Sequence, residues 1–155
     1  MSLPGYRERY AQFLKLEFPR FPVTGDALLF RQLSQCGAKL VGLHTLREHG
    51  PEMAAFDVAG SNVVKQVVYV PLAAGATGRV YINSRQYFEG ILAVVWEFRV
   101  GGYQVCERWL KDRKGRVLGH DDIEHYRHIV AALAQTRMLM AQIDLLILDH
   151  GGWPL

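Results

Sequence analysis

Residues 120–150, HDDIEHYRHIVAALAQTRMLMAQIDLLILDH, place Ile123, Tyr126, Val130, Leu133, Met140, Ile143 and Ile147 at the spacing of one helical face. A helix over this stretch is roughly 45 Å long at about 1.5 Å per residue, so the rest of a compact chain must pack along it. Asp121 and Glu124 stand where a capping box would start it. Upstream, Asp26 suits an N-cap, and Leu29, Leu33, Cys36, Leu40, Leu43 and Leu46 follow at helical spacing. Gly37 and Gly42 leave open whether that stripe is one helix or two. A first helix is expected within GYRERYAQFLKLEF, with Tyr6, Tyr10, Phe13 and Leu14 on one face and Pro19 and Pro22 beyond it.

The middle of the chain has a different texture. VVKQVVYV at 63–70 and RVYIN at 79–83 are rich in β-branched and aromatic residues on either side of the turn-like PLAAGATG, which predicts an antiparallel hairpin. VVWEFRV at 94–100 is a third strand candidate, with Trp96 and Phe98 on one face as Tyr69 and Val67 would be on theirs. Residues 47–62 carry glycine, proline and asparagine breakers and read as an irregular excursion. After Gly101 and Gly102, YQVCERWLKD predicts a short helix. Val105, Cys106, Trp109 and Leu110 share its inner face, and Glu107 with Lys111 and Arg108 with Asp112 sit four apart on the outer one. Helices, a small antiparallel sheet and a long C-terminal helix make the expected class α+β.

The chain has 155 residues, half of them apolar, which suits one domain over 1–155. A formal net charge of +3 is compatible with a nucleic-acid partner without requiring one. Cys36 and Cys106 both lie in apolar helical patterns and are expected to be buried and reduced. No run approaches the roughly 18 uninterrupted apolar residues of a membrane span, and MSLPGYRERY lacks the apolar run of a signal peptide. The expectation is a cytoplasmic protein with no membrane partner.

Two clusters carry candidate chemistry. His120, Asp121, Asp122, Glu124, His125 and His128 begin the last helix, where His125 and His128 could supply two metal ligands. Acids in a first turn are also what the helix dipole favours, and no HExxH, paired CxxC, GxxxxGK[ST], GxGxxG or GxSxG is present, so no catalytic or metal residue is assigned. The second cluster is basic. Residues 108–116 hold five cations and one acid, a net +4, whereas 120–150 hold two cations and five acids, a net −3. Arg108 and Lys111 have helical partners, but Arg113, Lys114 and Arg116 have none nearby and project from a glycine turn where phosphates could be met. Asn83, Arg85 and Gln86, in INSRQYF, are side chains of the kind that pair with adenine or guanine edges.

The order RVYINSRQYFEGI, VWEFRVGGYQVCERWLKDRKGR and DDIEHYRHIVAAL, together with the opening GYRERYAQFLKLEFPRFP and the leucine-rich segment after it, resembles the C-terminal specificity region of the type ISP restriction-modification enzymes. These are large single-chain bacterial proteins joining a nuclease, a DNA translocase, an adenine-N6 methyltransferase and a target-recognition domain. The sequence departs from the pattern at ILAVVW after YFEG, in place of a proline-containing turn, and at His120, in place of a serine- or threonine-like cap.

The resemblance implies a non-catalytic domain that recognises a short sequence in double-stranded DNA, as a fragment or stand-alone version of a larger polypeptide. Its other partners would be the methyltransferase and translocase domains of the parent, which would use S-adenosylmethionine, ATP and Mg; this chain would hold no cofactor. A motif shared by enzymes reading different targets suits phosphate contact better than base readout. Lys111, Arg113, Lys114 and Arg116 are therefore assigned to phosphates. Base readout is expected within 47–62, in the 71–78 turn, or near Arg85 and Gln86, with Asn83 beside them. Two rivals remain: an interdomain docking module using the leucine stripe and the long helix, and a small metal-dependent hydrolase built on His120, Asp121, His125 and His128.

Overall fold

The computed structural model describes residues 4–15, 23–47, 54–72 and 77–154. Helix α1 (Pro4–Arg9) is followed by a single 3-10 turn at Phe13–Lys15, then by α2 (Ala27–His44). Strands β1 (Val68–Pro71), β2 (Thr77–Tyr81) and β3 (Tyr87–Leu92) form an antiparallel sheet in chain order. A short helix α3 (Ala93–Trp96), a two-residue ribbon of β4 (Arg99–Val100) and β5 (Tyr103–Gln104), helix α4 (Val105–Lys111) and helix α5 (His120–Asp149) complete the chain. The class is α+β.

α5 is the shared member of three apolar clusters. Its N-terminal half sends Tyr126, Val130 and Leu133 into a core with Val80, Phe88, Ile91, Val95, Cys106 and Leu110. From Ala132 onward it also meets α2, where Cys36 packs on Ile143 and Ile147, and Leu43 packs on Ala132 and Leu139. The stripe anticipated in the sequence is therefore buried from Tyr126 onward. Each fully buried side chain of this size contributes about 1.5–3 kcal/mol of transfer free energy. By length and mean hydropathy α5 would also pass for a membrane span, yet half of that window is buried inside the domain.

α2 is one continuous helix. Asp26 caps it, its Oδ1 accepting from the backbone N–H of Leu28 at 2.8 Å and of Leu29 at 3.2 Å. Those bonds hold the Asp26 carboxyl below its ordinary range. At α5 the cap differs from expectation: Gly119 is the N-cap, and Asp122, rather than the Asp121 and Glu124 pair, accepts from its N–H at 3.0 Å.

Three further expectations are corrected. The first helix stops at Arg9 rather than continuing, and Pro19 and Pro22 lie outside the described residues. The strand expected over 63–70 begins only at Val68; Val63 instead bridges to Val117. The third strand is YFEGIL, not VVWEFRV. Val95 and Trp96 are both buried, and where neighbours in a strand would point to opposite faces, the helical turn observed at 93–96 brings both into the core. Trp96 consequently stacks on Tyr69, ring centroids 5.5 Å apart, instead of lining a strand face with Phe98. Gly78 makes room for that Tyr69 ring, since a Cβ there would stand 2.4 Å from its Cζ.

Both cysteines are free and buried. Burial pushes the Cys106 thiol up to about 12, which removes it as a nucleophile at neutral pH.

Candidate nucleic-acid interface

α4 ends in the turn Asp112–Arg116, and the backbone of the 62–64 segment fixes where that turn lies. Gly115 N–H donates to Val64 O at 2.7 Å, Val64 N–H to Arg116 O at 3.0 Å, and Leu118 N–H to Asn62 O at 2.8 Å. Leu118 beneath the turn is buried, so the turn cannot lift without exposing core.

The four cations assigned to phosphates divide into two kinds. Lys114 and Arg116 are exposed and, among the described residues, carry no ion pair. Lys111 is exposed but sits 2.8 Å from Glu107, and its neighbour Arg108 sits 2.9 Å from Asp112, as their four-residue spacing anticipates. Pairs of this kind are worth only about 0.3–0.5 kcal/mol, so Lys111 is readily released.

Arg113 is different. Its guanidinium lies 3.5 Å from the centroid of the Trp109 ring, and Nη1 donates to Trp109 O at 3.0 Å. Its Nε is buried and stands 3.8 Å from Asp122 Oδ1, beyond hydrogen-bonding distance. Trp109 in turn packs on Tyr126 at 5.2 Å. The charge expected to face phosphate is thus laid flat on the domain, bracing the turn from within. The four-residue spacing of Trp109 and Arg113 was the available signal for this contact.

The base-edge candidates divide as well. Arg85 is exposed. Asn83 and Gln86 are 6% and 1% exposed, and their amides are committed inside the chain. Gln86 Oε1 accepts from Asn62 N–H at 2.7 Å and from Asn83 Nδ2 at 3.0 Å, while Gln86 Nε2 donates to Val58 O at 2.9 Å and Asn62 Oδ1 at 2.7 Å. Asn83 Oδ1 accepts from the N–H of Arg85 and of Gln86, and Asn83 Nδ2 also donates to Val63 O at 3.1 Å. All four hydrogen-bonding positions of the Gln86 amide are filled, which is why burial is tolerable. Neither amide has a free edge for a base. Of the other regions expected to read bases, residues 48–53 and 73–76 lie outside the described residues.

The histidine and carboxylate cluster does not converge. His125 packs against Trp109 at 5.8 Å, and Glu124 binds Arg127 at 2.7 Å, the hydrogen bond that most lowers its pKa. Among the described residues no three His, Cys, Asp or Glu side chains could hold a metal ion together. The hydrolase rival has no geometric support. A cleft between α1, α3, the β4–β5 ribbon and α5 carries Arg7, Arg99 and Arg137, with Glu8 and Glu97 among them.

Nothing in the sequence pattern marks Asn62, yet it adopts φ 55°, a left-handed conformation that asparagine tolerates better than most residues, and it bonds both Gln86 and Leu118.

The fold is shared with several solved structures, among them two DNA complexes. One is the cryo-EM structure of the DrdV–DNA complex, with a TM-score of 0.64 at 20% identity over 90% of this chain and 16% of that one. The other is a nuclease-deletion mutant of the Type ISP restriction-modification enzyme LlaGI in complex with a DNA substrate mimic. It has a TM-score of 0.55 at 20% identity over 95% of this chain and 15% of that one. The chain spans about a sixth of the length of either. No curated protein matches it in sequence. The family described as the Type ISP C-terminal specificity domain matches residues 1–142, from α1 through most of α5, and the chain belongs to that family.

Proposed function

We propose that this domain is the duplex-DNA target reader of a restriction-modification polypeptide and performs no catalysis itself. The observation that carries the reading is the turn at Lys114 and Arg116: two unpaired, exposed cations on a backbone pinned to the core, in a member of a specificity-domain family. Membership in that family and a fold shared with two DNA complexes support it. Lys114 and Arg116 grip phosphate, Lys111 joins them on leaving Glu107, and Arg113 holds the turn in shape. Arg85, whose guanidinium suits a guanine edge, is the base reader among the three candidates in the 83–86 turn. The methyltransferase, translocase and nuclease, with their S-adenosylmethionine, ATP and Mg, belong to other parts of the parent chain, and the compartment is the cytoplasm.

The test is binding to duplexes with a randomised centre, read by fluorescence anisotropy at low and moderate salt, with sequencing of the bound fraction. Salt-sensitive binding with one enriched short motif is the expected outcome. Binding without enrichment would confine the domain to phosphate contact.

A docking role has one specific observation in its favour. Met138, Leu145 and Leu148 are 66%, 59% and 67% exposed on the side of α5 turned away from α2. Absence of any duplex binding by the isolated chain would favour that role.

A further inference from the structure

We infer that Asn62, Asn83 and Gln86 form a buried amide knot that sets three loops, 58–65, 83–86 and 113–117, into one surface facing duplex DNA. The inference rests on the proposed function and adds the residues that position its contacts. Gln86 ties the 83–86 turn to the first loop at Val58 and Asn62. Asn83 holds the amides of Arg85 and Gln86 on one side and Val63 O on the other. Asn62 then reaches Leu118, just past the basic turn, its Nδ2 lying 3.4 Å from Leu118 O and its own carbonyl taking the Leu118 N–H, while the Val64 backbone two residues on bonds Gly115 and Arg116 of the turn itself. Gly60 closes the knot from outside, for a Cβ at that position would stand 2.5 Å from Gln86 Cδ.

What the knot presents outward is charge of one sign. Lys65, Arg85, Lys114 and Arg116 are all exposed, come from all three loops, and among the described residues have no ionic partner. A polyanion that meets the basic turn therefore meets Arg85 in a fixed relation to it. The neutral amides do no reading. They are positioning residues, and their effect on DNA passes through the placement of the cations.

Two measurements test this. In the unmodified chain, hydrogen exchange with and without a random duplex should show 58–65, 83–86 and 113–117 protected together, while the exposed face of α2 is unchanged. In Gln86→Leu, which removes no charge, the slope of log affinity against log salt should fall by about one unit, and adding Arg85→Ala should lower it no further. Lys39→Ala, on α2, serves as the charge control and should leave the slope alone. Protection confined to the basic turn overturns the inference whatever the variant does, and so does a folded Gln86→Leu with the original slope. If Gln86→Leu does not fold, exchange on the unmodified chain decides. A chain that binds no duplex overturns the proposed function and this inference together, whereas binding with a single protected loop overturns the inference alone.

Discussion

The two polar turns of this domain, INSRQ at 82–86 and DRKGR at 112–116, are both candidates for DNA contact and behave oppositely in structure. In the first, two neutral amides turn inward and one cation turns out. In the second, one cation lies flat against an indole and two point to solvent. The difference teaches which polar groups a fold can absorb. An amide with all its hydrogen bonds made loses little on burial, while a free ammonium or guanidinium loses several kcal/mol and stays outside unless an aromatic face or a carboxylate receives it. Arg113 is the guanidinium for which Trp109 supplies such a face.

The largest effect should come from the inward residue of the first turn. Gln86→Ala leaves Asn62 N–H, Val58 O and the Asn83 amide short of partners in a buried site, and a loss of about 3 kcal/mol in urea unfolding is expected. A loss under about 1 kcal/mol would mean that water replaces the amide and that the contrast between the turns is shallower than drawn.

Next is the outward pair of the second turn. Lys114→Ala with Arg116→Ala should flatten the salt slope of duplex binding by roughly two units and change stability by less than about 0.5 kcal/mol. An equal loss of affinity on every duplex would mark these two as phosphate contacts, whereas Arg85→Ala should flatten the slope by about one unit and relax sequence preference as well. Arg113→Ala lies between the two classes. Removing its stack and its bond to Trp109 O should cost about 1 kcal/mol in stability. Its binding loss should be smaller than that of Arg116→Ala, and a reversal of that order would return Arg113 to the phosphate contacts.

The smallest expected effect lies away from both turns, at Asp26. Its pKa is lowered chiefly by the Leu29 and Leu28 amides, so the stability it contributes is present above its unfolded value of 3.8 and is lost as pH falls through the lower folded value. Asp26→Asn, an equally good cap, should leave the neutral-pH Tm nearly unchanged and shrink the acid-side fall, as melting between about pH 2 and 5 would show.

Much of this was legible in the sequence. The α5 stripe, the Asp26 cap, the paired charges of α4 and the α+β class all follow from periodicities that local geometry enforces. The exposure of Lys114 and Arg116 was legible too, because unpaired charge has few alternatives. The third strand was not, since YFEGIL lacks alternation and VVWEF carries strand-like valines whose adjacent burial only tertiary packing decides. The direction of Asn83 and Gln86 was equally hidden. An amide serves as well in a core as on a base edge, and which one it meets depended on Asn62 and Val58, more than twenty residues upstream.

The knot has one more consequence, for how such a domain changes over time. Gln86 is satisfied entirely by two amide side chains and by backbone groups, so nothing in the frame depends on which side chains the loops hold outward. Ser84 and Arg85 are free to vary on it without disturbing Phe88 or Tyr126 beneath. A new specificity can then arise by point substitution on an unaltered chassis, with no intermediate that has to refold.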